Sequence, residues 1–199
     1  MVIDGIYYAL GLFAGGALVS YLTRPAFGIP MFILGLFCLW FFRDPERKIP
    51  TGPVAVSPAD GKIVWIKQMG DQQRVSVFLN IFDVHVNRSP IAGKITNIEY
   101  KRGKFLVASV EAASTENEMN VITVESKGVK VVFSQIAGLI ARRIVCYKTV
   151  GDVVSAGDRV GYIKFGSRVD LWFGPEWTVE VKEGQRVSAG SSIIARRKE

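Results

Sequence analysis

Histidine and cysteine are nearly absent from this sequence. Its 199 residues include one histidine, His85, and two cysteines, Cys38 and Cys146. That count excludes a histidine metal cluster. The cysteines, one of them inside an apolar run, supply neither a metal site nor a disulfide framework, which suits a reducing compartment. If an imidazole does acid–base work near neutral pH, His85 is the only candidate. Charge is missing from two stretches at the start of the chain, Gly5 to Leu22 and Ala26 to Phe42. A basic leader is missing too: the chain begins Met-Val-Ile-Asp and a second apolar run follows the first at once, against a cleaved secretory signal. After residue 50 no segment keeps a long 3.6-residue apolar period, so a helical body is not expected. There is also no dense basic arm, although Lys plus Arg number 25 against 18 acids and the formal charge is +7. The basic residues are scattered through strand-like segments, with a short Arg196-Arg197-Lys198 tail, which argues against nucleic acid as a partner.

The two charge-free runs are what the sequence has in excess. They hold 18 and 17 residues around the break Thr23-Arg24-Pro25. As helices they would be about 26–27 Å long, close to the ~30 Å of a bilayer core. Two consecutive runs of this kind are rare in a soluble core, so a membrane hairpin is favoured over a buried one. Gly15-Gly16 and Pro30 would let it bend or pack closely. The basic cluster Arg43, Arg47 and Lys48 then places the remaining chain on the cytoplasmic side of the cell membrane. Spanning and monotopic insertion both remain open. The expected organisation is a hydrophobic membrane-associating helical segment, residues 1–42, followed by a β-rich catalytic domain, residues 43–199.

From Val54 onward the pattern is one of short β-branched and aromatic runs bounded by Gly, Asn, Asp or Pro, such as Val75-Ser-Val-Phe-Leu79 and Val121-Ile-Thr-Val124. Two internal echoes stand out. Ser57-Pro-Ala-Asp-Gly-Lys-Ile63 returns as Ser89-Pro-Ile-Ala-Gly-Lys-Ile95, and Gly151-Asp-Val-Val-Ser-Ala-Gly157 returns as Gly184-Gln-Arg-Val-Ser-Ala-Gly190. The second pair resembles the turn–strand–turn unit of biotinyl and lipoyl carrier domains. The expected fold is therefore mainly β: a flattened β-sandwich of barrel-sandwich-hybrid type built from related halves, preceded by the helical hairpin. A membrane-tethered carrier-like binding module is the non-enzyme alternative. It would need a lysine at a hairpin tip, whereas Lys164 stands in an alternating strand without a Met-Lys-Met or Asp-Lys-Ala context.

Taken singly, Asp60 in an Asp-Gly turn, Ser167 after Gly166, and a lone histidine are ordinary turn or packing residues. Taken in order, they form a set: Phe41-Phe-Arg-Asp-Pro-Glu-Arg47, SPADG at 57–61, FDVHVNRSP at 82–90, Glu116-Asn-Glu-Met-Asn120 and FGSRVD at 165–170. This set, spread over nearly the whole chain, closely resembles the short-form phosphatidylserine decarboxylase proenzymes, including archaetidylserine decarboxylase-like members. The resemblance implies a chain that cuts itself between Gly166 and Ser167, giving a β chain of residues 1–166 and an α chain of residues 167–199. Ser167 would become a covalent pyruvoyl cofactor, with no metal. It also implies that Asp60 and His85 form a triad-like arrangement with Ser167, which fits the chemistry: a serine hydroxyl attacking the preceding carbonyl needs a base, and an imidazole held by a carboxylate is a workable one.

The implied activity is decarboxylation of phosphatidylserine to phosphatidylethanolamine and CO2 through a Schiff base between the pyruvoyl carbonyl and the headgroup amine, with His85 as proton donor. The same chemistry on archaetidylserine is the alternative. Longer relatives carry a second histidine where Arg88 stands and cut within Leu-Gly-Ser-Thr, whereas Phe165 and Arg168 flank the cut here. Arg88 could hold the lipid phosphate by charge-assisted hydrogen bonds. The implied partners are anionic phospholipid, the membrane and the two cleaved chains as a heterodimer, with a homo-oligomer left open. Excess positive charge suits an anionic surface, at about 1 kcal/mol per basic side chain near it.

Overall fold

The computed structural model describes residues 1–139, 143–164 and 167–198. The chain divides into two compact units, Met1–Glu46 and Arg47–Glu199.

The first unit is a pair of helices, α1 (Ile3–Leu22) and α2 (Pro25–Phe41). Pro25 opens α2 at a position where its missing N–H costs nothing. The helices approach closely where each lacks a side chain. A Cβ on Gly16 would lie 3.2 Å from the Gly28 carbonyl oxygen, and Gly35 lies beneath the Phe13 ring. Small residues at a crossing are how apolar helices associate without a hydrophobic driving force. The outward faces stay apolar: Tyr7, Leu10, Ile33 and Leu36 are each more than half exposed. By length and composition α1 is able to cross a membrane, and α2 is a shorter apolar helix.

The second unit is mainly β, as the alternating pattern led one to expect. Its elements are β1 (Val54–Val56), β2 (Gly61–Met69), β3 (Gln72–Leu79), β4 (Val86–Arg88), β5 (Gly93–Lys101), α3 (Ala113–Glu116), β6 (Met119–Ser126), β7 (Val129–Ile136), β8 (Ile144–Cys146), β9 (Val153–Val154), β10 (Arg159–Ile163), β11 (Ser167–Phe173), β12 (Trp177–Val179), β13 (Arg186–Val187) and β14 (Ile193–Arg197). One sheet has the order β13-β2-β3-β11-β7-β6-β5-β9, and two small sheets have the orders β1-β14-β12 and β4-β10-β8. The alternation of the long strands is visible in β11. Val169, Leu171 and Phe173 enter the core with Val75, Val77 and Phe133, while Arg168 and Asp170 take the opposite face.

The sequence echoes are a structural duplication. Ile63 donates to the Gln185 carbonyl (2.9 Å) and accepts from Gly184 N–H (2.8 Å). Its counterpart Ile95 donates to Asp152 (2.8 Å) and accepts from Gly151 (2.8 Å). Gly190 N–H bonds the Ser57 carbonyl, and Gly157 N–H bonds that of Ser89, both at 2.8 Å. Each copy of SPxxGKI is thus bound to one copy of GxxVSAG, the first to the last and the second to the third. The halves meet where Gly157 (φ +82°) and Gly190 (φ +76°) come together. A side chain on Gly157 would collide with Ile49, and one on Gly190 with both Ile49 and the Arg88 stem. Left-handed backbone and close approach both require glycine here.

Candidate active site

The register of the large sheet brings Asp60 and Ser167 toward one end. Lys62 on β2 pairs with Phe78 on β3, which pairs with Arg168 on β11, which pairs with Ile136 on β7. One step beyond that row lies Ser167, which pairs with Leu79, and two steps beyond lies Asp60, just before β2. Gly61 makes the approach possible, because a side chain there would collide with the Phe78 carbonyl.

His85 arrives by a second route. Strands β3 and β11 are neighbours in the large sheet, and β4 and β10 are neighbours in a small one. The β3→β4 connection therefore joins the same two sheets to which β11 and β10 belong. His85 is the last residue before β4, and Ser167 is the first residue of β11. The His85 carbonyl accepts the Ile163 N–H at 3.4 Å. Asn87, two residues on, reaches across the gap to Gln135, the register partner of Val169. Alternation along the chain directs His85 to the same side, and Ser167 shares the face of Val169. The Asn87–Gln135 bond thus links the strand that follows His85 to the sheet in which Ser167 lies.

Ser167 is fully buried, and among the described residues its Oγ has no hydrogen-bond partner. His85 is also buried, with Nδ1 2.9 Å from the Asp83 carbonyl. A carbonyl only accepts, so this bond assigns the proton to Nδ1 and leaves Nε2 as the basic nitrogen. Asp83 shapes the turn before the histidine: its carboxylate accepts Asn80 N–H at 2.9 Å and pairs with Arg186. Asp60 accepts two bonds from Arg47 Nη2, at 2.8 and 3.0 Å, and a third from Ala189 N–H at 2.7 Å. Arg47, grouped above with Arg43 and Lys48 as a basic cluster, is drawn into this largely buried ion pair. In the duplicated half the position of Asp60 is occupied by Ala92, so only one of the two halves carries the carboxylate.

Arg88 is buried at the seam between the halves, and its Nη1 donates to the Gly157 carbonyl at 3.0 Å. Gly166 and Phe165 lie outside the described residues. Lys164, weighed in sequence only as a carrier lysine, is a buried cation one residue past β10 and three before Ser167.

Arg168 faces the other way. Fully buried, it lies with Nε 2.9 Å from Asp170 Oδ1, in off-line geometry, and donates to the carbonyls of Ala108 (3.0 Å) and Val110 (2.8 Å) and to Ser114 Oγ. Ser114 in turn donates to Asp170 at 2.6 Å. Burial pushes the guanidinium pKa down, and the Asp170 carboxylate opposes that shift. The residue after Ser167 is thereby fixed to the segment that crosses the outer face of the sheet.

Sequence reasoning missed Arg47, Asp83 and Asn87 as parts of the site. All three stand inside motifs quoted above, yet nothing local marks which charge or amide will face inward.

The chain matches the phosphatidylserine decarboxylase family over residues 34–195. It is 63% identical over 197 residues to the phosphatidylserine decarboxylase proenzyme of Solibacter usitatus (strain Ellin6076), covering 99% of this chain and 97% of that one. It is 46% identical over 204 residues to the proenzyme of the same name from Magnetococcus marinus (strain ATCC BAA-1437 / JCM 17883 / MC-1), covering 96% and 93%. With the family match covering most of the chain and similarity running through nearly the full length, this chain belongs to the phosphatidylserine decarboxylase family.

Proposed function

We propose that this chain is a proenzyme that cuts itself between Gly166 and Ser167 and then, as the assembled 1–166 and 167–199 chains, decarboxylates phosphatidylserine. The observation that carries the reading is Ser167: a fully buried hydroxyl without a hydrogen bond among the described residues, opening a central strand of the large sheet. A hydroxyl kept for packing would normally be satisfied. One kept for attack on the preceding carbonyl has to be free to turn.

His85 takes the Ser167 proton through Nε2 and holds it on the imidazole. The Asp83 carbonyl keeps the ring in the tautomer that allows this. Asp60, held by Arg47 and Ala189, supplies negative charge at the same end of the sheet, where it favours the imidazolium that forms. The residues fit a pyruvoyl group at position 167, because losing the hydroxyl there breaks no hydrogen bond among the described residues. Such a group supplies an electron sink for the bond to the departing carboxylate. His85 is then placed to return a proton to the headgroup carbon. The seam position of Arg88, bonded to Gly157, supports a scaffold role over the phosphate contact that the resemblance suggested. The exposed apolar faces of α1 and α2 support a membrane anchor, which would spare a lipid substrate from being extracted.

The test is intact mass of the purified full-length chain, with decarboxylation assayed on phosphatidylserine vesicles. The wild-type chain yields a fragment of 33 residues, 167–199. Ser167→Ala stays whole and inactive, and His85→Ala impairs cleavage or turnover. A wild-type chain that remains whole, with Ser167→Ala equally active, overturns the reading.

A further inference from the structure

We infer that Asn87 is a catalytic hydrogen-bond donor, its side-chain N–H stabilising the oxyanion that forms on the carbonyl preceding Ser167 during self-cleavage. This rests on the self-cleavage reading of Ser167 and adds to it a residue with a role of its own.

Three buried amides form a chain through the interior. Asn120 Nδ2 donates to Gln135 Oε1 at 3.1 Å, and Gln135 Nε2 donates to Asn87 Oδ1 at 2.9 Å. Asn87 and Gln135 are fully sealed from solvent, and Asn120 nearly so. Gln135 is held at both ends, so Asn87 has to present its oxygen to it and turn its Nδ2 away. That Nδ2 has no partner among the described residues. A buried donor without an acceptor is destabilising, and in a native structure it requires a reason.

The placement of Asn87 supplies one. It stands two residues from His85 on the same side of the chain. Its partner Gln135 pairs in register with Val169, two residues from Ser167 on the same face of β11. The hydroxyl of Ser167 is likewise buried and without a hydrogen-bond partner among the described residues. In the reaction Ser167 Oγ gives its proton to the base and bonds the preceding carbonyl carbon, while the C=O π pair moves onto oxygen. Collapse restores the carbonyl and breaks the C–N bond. The nitrogen leaves with a proton as the amine of residue 167, and an ester remains. Negative charge on that oxygen exists only between these two bond changes. A rigid, water-excluded N–H meets it without reorganisation, whereas in the resting chain it has nothing to bind.

The experiment follows self-cleavage of the full-length chain after a pulse of cell-free synthesis, quenched in denaturant and read by intact mass. Asn87→Asp keeps an oxygen for Gln135 and deletes the donor. Cleavage is expected to slow by about a hundredfold or more. The uncut amide should accumulate, and hydroxylamine, which cleaves an ester at this bond, should release no additional fragment. Folding is read separately in the Ser167→Ala chain, with and without Asn87→Asp, by the cooperativity of heat unfolding. If the Asp variant does not fold there, Gln135→Met decides. It unlocks the Asn87 amide, slowed cleavage supports the donor role, and an unchanged rate overturns it. Wild-type cleavage by Asn87→Asp overturns the inference and leaves self-cleavage standing, and so does accumulation of a hydroxylamine-sensitive ester. A wild-type chain that never cuts overturns the underlying reading instead.

Discussion

Ser167 and Arg168 are adjacent in sequence and opposite in task. The serine has no hydrogen-bond partner among the described residues, and the arginine takes the opposite face, where it is bound to Asp170, Ser114 and two carbonyls. Period-two alternation on a strand buried on both faces makes this possible. The side chain proposed to react is left unbonded among the described residues while its neighbour supplies the fixation. Removing Arg168 leaves the Asp170 carboxylate buried and uncompensated. In the Ser167→Ala background, Arg168→Ala is expected to cost about 3–5 kcal/mol, or roughly 10 °C in the heat-unfolding midpoint at ~2–4 °C per kcal/mol. Removing both charges with Arg168→Met and Asp170→Leu should recover most of that loss, since replacing a buried pair by apolar volume is often neutral. Calorimetry of the single and double variants checks both statements. A double variant no better than the single one would mean that the carbonyl bonds to residues 108 and 110 matter more than the ion pair.

At the scale of elements, the duplicated turn units explain why the site exists in one copy. Both SPxxGKI units make the same backbone bonds to their GxxVSAG partners, so the scaffold is symmetric while Asp60 and Ala92 are not. The seam between the halves has little tolerance. Gly190→Val combines a left-handed φ with collisions against Ile49 and Arg88, and about 2–4 kcal/mol of destabilisation is expected. Gly70→Ala, at a hairpin tip with open space around it, should cost only about 1 kcal/mol. Denaturant midpoints of the two variants in the uncut chain test the contrast.

Much of this level was legible beforehand. The apolar runs became α1 and α2, the alternating runs became strands, and the echoes became equivalent units. The pairing between echoes was not legible, because both copies of each motif carry the same turn chemistry and either could satisfy either partner. The hold of Arg47 Nη2 on both carboxylate oxygens of Asp60 was hidden for a related reason: an arginine after an apolar run reads as surface charge until the fold brings a carboxylate to it.

For the whole molecule, the position of residues 167–198 bears on what cleavage would do. Strand β11 lies between β3 and β7, β13 borders β2, and β14 separates β1 from β12. All of their partners except β12 belong to the part before residue 167. A cut before Ser167 therefore leaves the carboxy-terminal portion bound through ladders on both sides and through the apolar core. The two fragments are expected to co-elute in native size exclusion and to separate only in denaturant. Dissociation in native buffer would show that these ladders do not survive the cut.

Taken alone, the sequence determined the local periods: two charge-free helical runs, a glycine-punctuated β body with paired echoes, and a single imidazole available for acid–base chemistry. These are properties of neighbouring residues, set by alternation, turn conformation and the cost of exposing apolar surface, and they need no knowledge of distant contacts. Only the tertiary structure decided which distant segments share an interior. It gave Asp60 to Arg47 and Ala189, tied Asn87 to Gln135 across two sheets, and closed an amide chain whose last N–H has no partner among the described residues. Those contacts join residues far apart in the chain. What selects them is simultaneous burial of one core, which no local pattern encodes.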